Sequence, residues 1–137
     1  MKQPLHYPGR HVPIVLVVDD NPAIRDMVSW ALELDGYEPA EAAEGFEALA
    51  WIDNAAREGR YPAVILLDLA MPGMNGNAFI DRLRAQWEAK HPLPAIIVIT
   101  AATEQQDQNV FPSPVKHVIV KPFHVRDLLD AVRKVTD

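Results

Sequence analysis

The sequence predicts an α/β fold in which helices cover both faces of a parallel sheet, and three observations carry this. Four short apolar runs rich in β-branched residues recur along the chain: IVLVV (residues 14–18), AVILL (63–67), AIIVIT (95–100) and VKHVIV (115–120). They have the length and composition of strands buried on both faces. Segments of helical period lie between them, and this alternation is the pattern of βαβ units joined by right-handed crossovers.

The chain of 137 residues fits one domain, and 49% hydrophobic with 23% charged residues is ordinary for a globular protein. A net charge of -6 argues against a dedicated nucleic-acid binder. The absence of cysteine excludes disulfides, thiolate nucleophiles and Cys-based zinc sites. The start, MKQPLHYPGRHVP, has no apolar signal-peptide core, and no later stretch reaches the apolar length of a membrane span, so a cytoplasmic location is expected.

Taken in order, residues 1–12 read as a non-helical N-terminal extension, because Pro4 and Pro8, with Pro13 just beyond, fix backbone angles and remove donors; the domain is expected over 13–137. After the first strand, NPAIRDMVSWALELDG is the clearest helix. Asn21 caps it, Pro22 occupies its first position, Gly36 closes it, and Ile24, Met27, Val28, Ala31 and Leu32 recur at three- and four-residue steps. YEPAEA (37–42) predicts a short second strand, confined to an edge by Pro39. The next helix is expected to face inward through Phe46, Leu49, Ile52 and Ala56. The third offers Phe79, Ile80, Leu83 and Trp87, and the last Val125, Leu128, Leu129 and Val132. The segment ATEQQDQNVFPSPVK between the fourth and fifth strands is polar, with only Val110 and Phe111 as anchors and with Pro112 and Pro114 at its end. A helix there is expected to be short or poorly held, which implies an unusual or mobile face.

In such a sheet, ligands bind at the carboxyl ends of the strands, near the point where strand order reverses. The first strand ends in Asp19 and Asp20, the third in Asp68, the fourth in Thr100 and the fifth in Lys121, which precedes Pro122. Each has a bland reading. Paired acids before NP favour a helix dipole, Thr100 ends a strand, Lys121 is a loop charge and Asp68 a loop cap. The shared strand-end location makes the conjunction hard to dismiss. The chemistry it suits is phosphoryl transfer to a carboxylate: clustered carboxylates call for a hard divalent cation, best Mg²⁺. Asp68 attacks phosphorus in line, while Lys121 and Thr100 meet the equatorial oxygens.

VVDDNPAIRDMV, LLDLAMPGMNG, VITAA and VIVKPF together resemble the response-regulator receiver domain, the CheY-like module of two-component signalling. The resemblance implies a flavodoxin-like three-layer sandwich whose doubly wound, five-stranded parallel sheet has the order 2-1-3-4-5, with five helices. It implies a phosphohistidine donor on a sensor histidine kinase or a histidine phosphotransfer protein. Asp68 matches the phosphoacceptor. Asp19 and Asp20 match the metal-binding acidic pair, with Asp20 the more direct ligand, and Ala70 would add its backbone carbonyl. Thr100 matches the switch hydroxyl, Lys121 the lysine, and Pro122 the position where the family has a cis peptide bond. On the same resemblance, kinase specificity is expected around Ala23, Ile24 and Met27 of the first helix.

One departure concerns the switch. Where the family commonly has an aromatic residue three before the lysine, this chain has Val118, with His117 beside it. The coupling of a threonine movement to an aromatic rotamer therefore cannot operate as such, and His117 reads best as a strand-edge residue.

Sixteen residues follow Lys121, enough for the last helix. The expectation is a stand-alone domain that signals through a downstream protein target, without direct contact to nucleic acid or membrane. The rival is a receiver fold that docks without phosphorylation. An aspartyl-phosphate phosphatase is disfavoured because a second acid would be needed where Ala70 stands. Flavodoxin-like cofactor binding is disfavoured because no Gly-rich cradle follows the first strand. His6, His11, His91, His117 and His124 show no ligand-like spacing.

Overall fold

A computed structural model describes residues 12–69, 74–87, 93–101 and 114–137 of the chain. Its strands are β1 (Ile14–Val18), β2 (Glu38–Ala42), β3 (Val64–Asp68), β4 (Ala95–Ala101) and β5 (Val115–Lys121). They pair in parallel in the order β2-β1-β3-β4-β5, the order the resemblance implied. The chain steps from β1 to β2 on one side and then to β3 on the other, so the strand order reverses between β1 and β3. That is where a doubly wound sheet opens a crevice at its carboxyl edge.

The helices among the described residues are α1 (Pro22–Leu34), α2 (Gly45–Arg57), α3 (Gly76–Gln86) and α4 (Val125–Thr136). The sheet's alternation of faces sorts the core into two layers. Leu16, Val18, Ile65, Leu67, Ile96 and Val98 point to Ala48, Leu49 and Ile52 of α2 and to Phe79, Ile80 and Leu83 of α3. Val15, Val17, Val64, Leu66, Ile97 and Ile99 point to Val28 and Leu32 of α1 and to Leu128, Ala131 and Val132 of α4. Every side chain of β1 and β3 is buried. No helix among the described residues is long and apolar enough to cross a membrane.

Local chemistry sets the element ends. The Asn21 side chain accepts from the backbone N–H of Ala23 and of Ile24 at 2.9 and 3.2 Å, and Pro22 takes the first helical position, where no N–H is needed. Gly36, at φ 97°, turns the chain out of α1, a conformation that glycine adopts without Cβ strain. Pro39 lies in β2, and β2 is an edge strand, as a residue without a ladder donor requires.

Two inward assignments are corrected. Phe46 is 53% exposed, and the guanidinium of Arg82 lies 5.3 Å from its ring centroid; the buried face of α2 runs instead through Gly45, Ala48, Leu49, Ile52 and Ala55. Small residues, Gly45, Ala48 and Ala55, share that inner face with Leu49 and Ile52, and Phe46 falls outside it. Met27 is likewise exposed, while Ser29 is buried on the inner face of α1 beside Val28 and Leu32. The helix expected between the fourth and fifth strands falls on residues 102–113, outside the described residues, and the N-terminal extension through His11 lies outside them too.

Candidate functional site

The carboxyl ends of the strands carry the polar residues that the apolar runs deliver there. Beyond Val18, the Asp19 N–H donates to the Ala42 carbonyl at 3.1 Å, which keeps the end of β1 in register with β2. The Asp19 Oδ1 accepts from the Asn21 N–H at 2.8 Å. Asp20 follows, exposed, and Asp68 is the last residue of β3 with only 2% of its surface accessible. One carboxylate oxygen from each of Asp19, Asp20 and Asp68 can be chosen so that all lie within 4.8 Å of one another.

Lys121, the last residue of β5, reaches past the end of β4 and sets its Nζ 3.3 and 3.2 Å from the two oxygens of Asp68. Thr100 is 1% exposed on β4, the strand between those carrying Asp68 and Lys121, and its Oγ1 donates to the Ala101 carbonyl at 3.4 Å. The Lys121–Pro122 peptide bond is cis. Val118 packs from β5 against the core layer of α2 and α3, and His117 sits half-buried on the same edge strand, opposite Ile97. Ala70 lies outside the described residues.

The electrostatics of this cluster are lopsided. Burial pushes the Asp19 carboxyl above its ordinary value, the Asn21 N–H draws it back, and the nearby charges of Asp68 and Asp20 raise it while Lys121 lowers it. Among the described residues, the Lys121 ammonium meets a cluster of three carboxylates, two of them buried. Such a set fits a small, hard, oxygen-seeking cation, which relieves both the burial penalty and the mutual repulsion.

The sequence reading missed one residue at this site. Arg25 lies on the buried face of α1 with Val28, Ser29 and Leu32, and its Nη1 donates to the Asp19 carbonyl at 2.7 Å. The signal was present: a charged residue in step with an apolar helical face needs a polar partner beneath it.

A parallel sheet of this order with an acidic pocket at its switch point is the architecture of a signalling receiver. Residues 15–133 match the family model of the response regulator receiver domain, and the chain belongs to that family. Among curated proteins it is 34% identical, over 89% of its length, to the DNA-binding dual master transcriptional regulator RpaA of Synechocystis. It is 36% identical, over 87% of its length, to the DNA-binding response regulator MtrA of Mycolicibacterium smegmatis. It covers 48% of each, so the chain spans about half the length of these relatives. Among solved structures, chemotaxis response regulator CheY4 of Vibrio cholerae superposes with a TM-score of 0.71 at 34% identity, covering 91% of this chain and 99% of that one. A receiver domain from Bermanella marisrubri gives a TM-score of 0.77 at 27% identity, covering 93% of this chain and 100% of that one.

Proposed function

We propose that residues 13–137 act as a phosphoacceptor receiver domain. Asp68 takes a phosphoryl group from a phosphohistidine on a sensor histidine kinase or histidine phosphotransfer protein, and the phosphorylated domain signals through a changed protein contact. The observation that carries this reading is the position of the Lys121 ammonium on both oxygens of buried Asp68, beside the carboxylates of Asp19 and Asp20.

An Asp68 oxygen forms the new P–O bond as the P–N bond to the donor imidazole breaks, and the released imidazole takes up a proton. Lys121, already at the acceptor, neutralises charge on the phosphoryl oxygens, and Thr100 supplies a hydroxyl from the adjacent strand. Asp19, Asp20 and Asp68 are the ligands we assign to Mg²⁺, and the family resemblance adds the backbone carbonyl of Ala70. When bound there, Mg²⁺ would supply positive charge against the transferring group. The domain then catalyses only its own phosphorylation and dephosphorylation.

The switch region is assigned to Thr100, Val118 and Pro122. With valine in place of an aromatic ring, the response has to be read through packing of β5 against its neighbours. RpaA and MtrA are DNA-binding regulators by name, whereas this domain's net charge of -6 favours a protein partner for the surface described here.

The test is intact mass after incubation with acetyl phosphate and Mg²⁺. One added phosphoryl group, absent in Asp68→Asn and without divalent cation, supports the reading. A folded, Mg²⁺-binding protein that gains none from acetyl phosphate or from a phosphorylated histidine donor favours docking without phosphorylation.

A further inference from the structure

We infer that Arg25 is a positioning residue for the acidic pocket: by joining the Asp19 carbonyl to Glu41 of β2, its guanidinium holds the Asp19–Asp20 turn in the shape that receives a divalent cation. The inference rests on the proposed reading of that pocket as a cation site.

Arg25 extends from α1 toward the sheet edge, and its side chain is only 18% exposed. Nη1 lies 2.7 Å from the Asp19 carbonyl oxygen, a short, charge-assisted hydrogen bond. Nε lies 3.3 Å from Oε1 of Glu41, which stands opposite Val17 in the β1–β2 register. One planar fork therefore ties α1, the end of β1 and the end of β2 together.

The result at Asp19 is a fixed residue. Its N–H donates to Ala42, its carboxylate accepts from Asn21 and its carbonyl accepts from Arg25. Asp20 then projects from a peptide whose orientation is already set. An acidic pocket whose ligands are preorganised does not spend binding free energy on ordering them.

Charge alone makes the opposite forecast. A guanidinium close to a cation site repels the cation, so a purely electrostatic Arg25 would weaken binding, and its removal would tighten it. Positioning and charge thus differ in sign, and Arg25→Lys separates them further, since an ammonium keeps the charge but cannot reproduce the two-pronged fork.

The experiment measures divalent affinity at a temperature where every variant is folded. Free Mn²⁺ is followed by electron paramagnetic resonance and MgCl₂ is used as competitor, for wild type, Arg25→Met, Arg25→Lys, Glu41→Gln and Asp20→Asn. Positioning gives an affinity about tenfold weaker in Arg25→Met, equivalent to about 1.4 kcal/mol, with severalfold losses in Arg25→Lys and Glu41→Gln. It also gives a smaller rise in melting temperature on adding Mg²⁺, whereas a merely structural role lowers that temperature equally with Mg²⁺ and with chelator. Arg25→Lys keeps the charge and most of the alkyl stem, so the test stands even where Arg25→Met does not fold. Unchanged or tighter binding in the Arg25 variants, with wild type binding and Asp20→Asn not, overturns this inference alone. Failure of wild type to bind the ion, or equal binding by Asp20→Asn, overturns the cation-site reading and this inference with it.

Discussion

Replacing Lys121 by methionine, one atom shorter, keeps much of the apolar stem of the side chain while removing the charge beside Asp68. The ammonium sits 3.2 Å from a carboxylate that is 2% exposed, whereas the lysine side chain itself is 31% exposed. At that separation and an effective dielectric constant of about 20, the attraction is about 5 kcal/mol. Water at the lysine end reduces this, and methionine no longer bears the cost of desolvating an ammonium. Truncating one side of a fully buried pair costs about 3–5 kcal/mol. For this half-exposed arrangement we expect about 3 kcal/mol, taken from the low end of that range. Such a loss is a large fraction of the roughly 5–15 kcal/mol of a typical domain, yet leaves the variant folded. Urea denaturation at neutral pH, low salt and with chelator measures it. A double-mutant cycle isolates the pair: with Asp68→Asn already present, Lys121→Met should cost no more than about 1 kcal/mol. Equal costs in the two settings, or a cost under about 0.5 kcal/mol in the wild-type setting, would refute the claim that this ammonium balances Asp68.

The Asp19 carboxyl, raised from its ordinary 3.8 chiefly by burial, binds its proton more tightly in the native state than in the unfolded chain. Stability without divalent cation therefore falls as pH rises from 3.8 through the raised native value. Asp19→Asn, which keeps the acceptor for the Asn21 N–H, should be more stable than wild type at neutral pH by about 1 kcal/mol. Carboxylate oxygens within 4.8 Å of one another repel by at least about 3 kcal/mol at an effective dielectric constant of about 20, and the Asn21 and Lys121 contributions offset most of it. Thermal melts across pH check it: the gain should vanish at acid pH and on adding Mg²⁺, and a wild type that is the more stable at neutral pH without cation would contradict it. At Gly76 an added Cβ would meet Leu69 Cδ2 at 2.0 Å, one residue beyond Asp68. Gly76→Ala should cost about 1–2 kcal/mol through overpacking and slow phosphorylation of Asp68 by displacing Leu69; a variant matching wild type in both chemical denaturation and phosphorylation rate would show that Leu69 yields freely.

The strands were legible because continuous β-branched runs can satisfy a sheet buried on both faces and little else, and Pro39 correctly marked β2 as an edge. The first helix was legible because its cap, its N1 proline and its closing glycine all agree. The convergence of Asp19, Asp20, Asp68 and Lys121 could be read as well, since parallel strands bring their carboxyl ends to one edge. Side-chain facing was less legible where an aromatic sits at a helix's first turn. Helical spacing counts Phe46 as core, but the buried face runs through Ala48 and Ala55, small residues that an apolar count passes over. Ser29 was overlooked in the opposite way, a polar residue of small volume buried in the α1 face. That Arg25 needs a polar partner was legible from its place on the helical face, but that the partner is the Asp19 carbonyl was not, because no spacing rule in the sequence encodes a backbone acceptor.

The most direct test of the central claim asks where the phosphoryl group sits. After phosphorylation in the presence of Mg²⁺, borohydride reduces an aspartyl phosphate to homoserine, and peptide sequencing by mass spectrometry locates the change. Conversion is expected at Asp68 alone, within VILLDLAMPGMNG, and is abolished by chelator. Conversion at Asp19 or Asp20, or at no carboxylate while the intact protein carries a phosphoryl group, would contradict it.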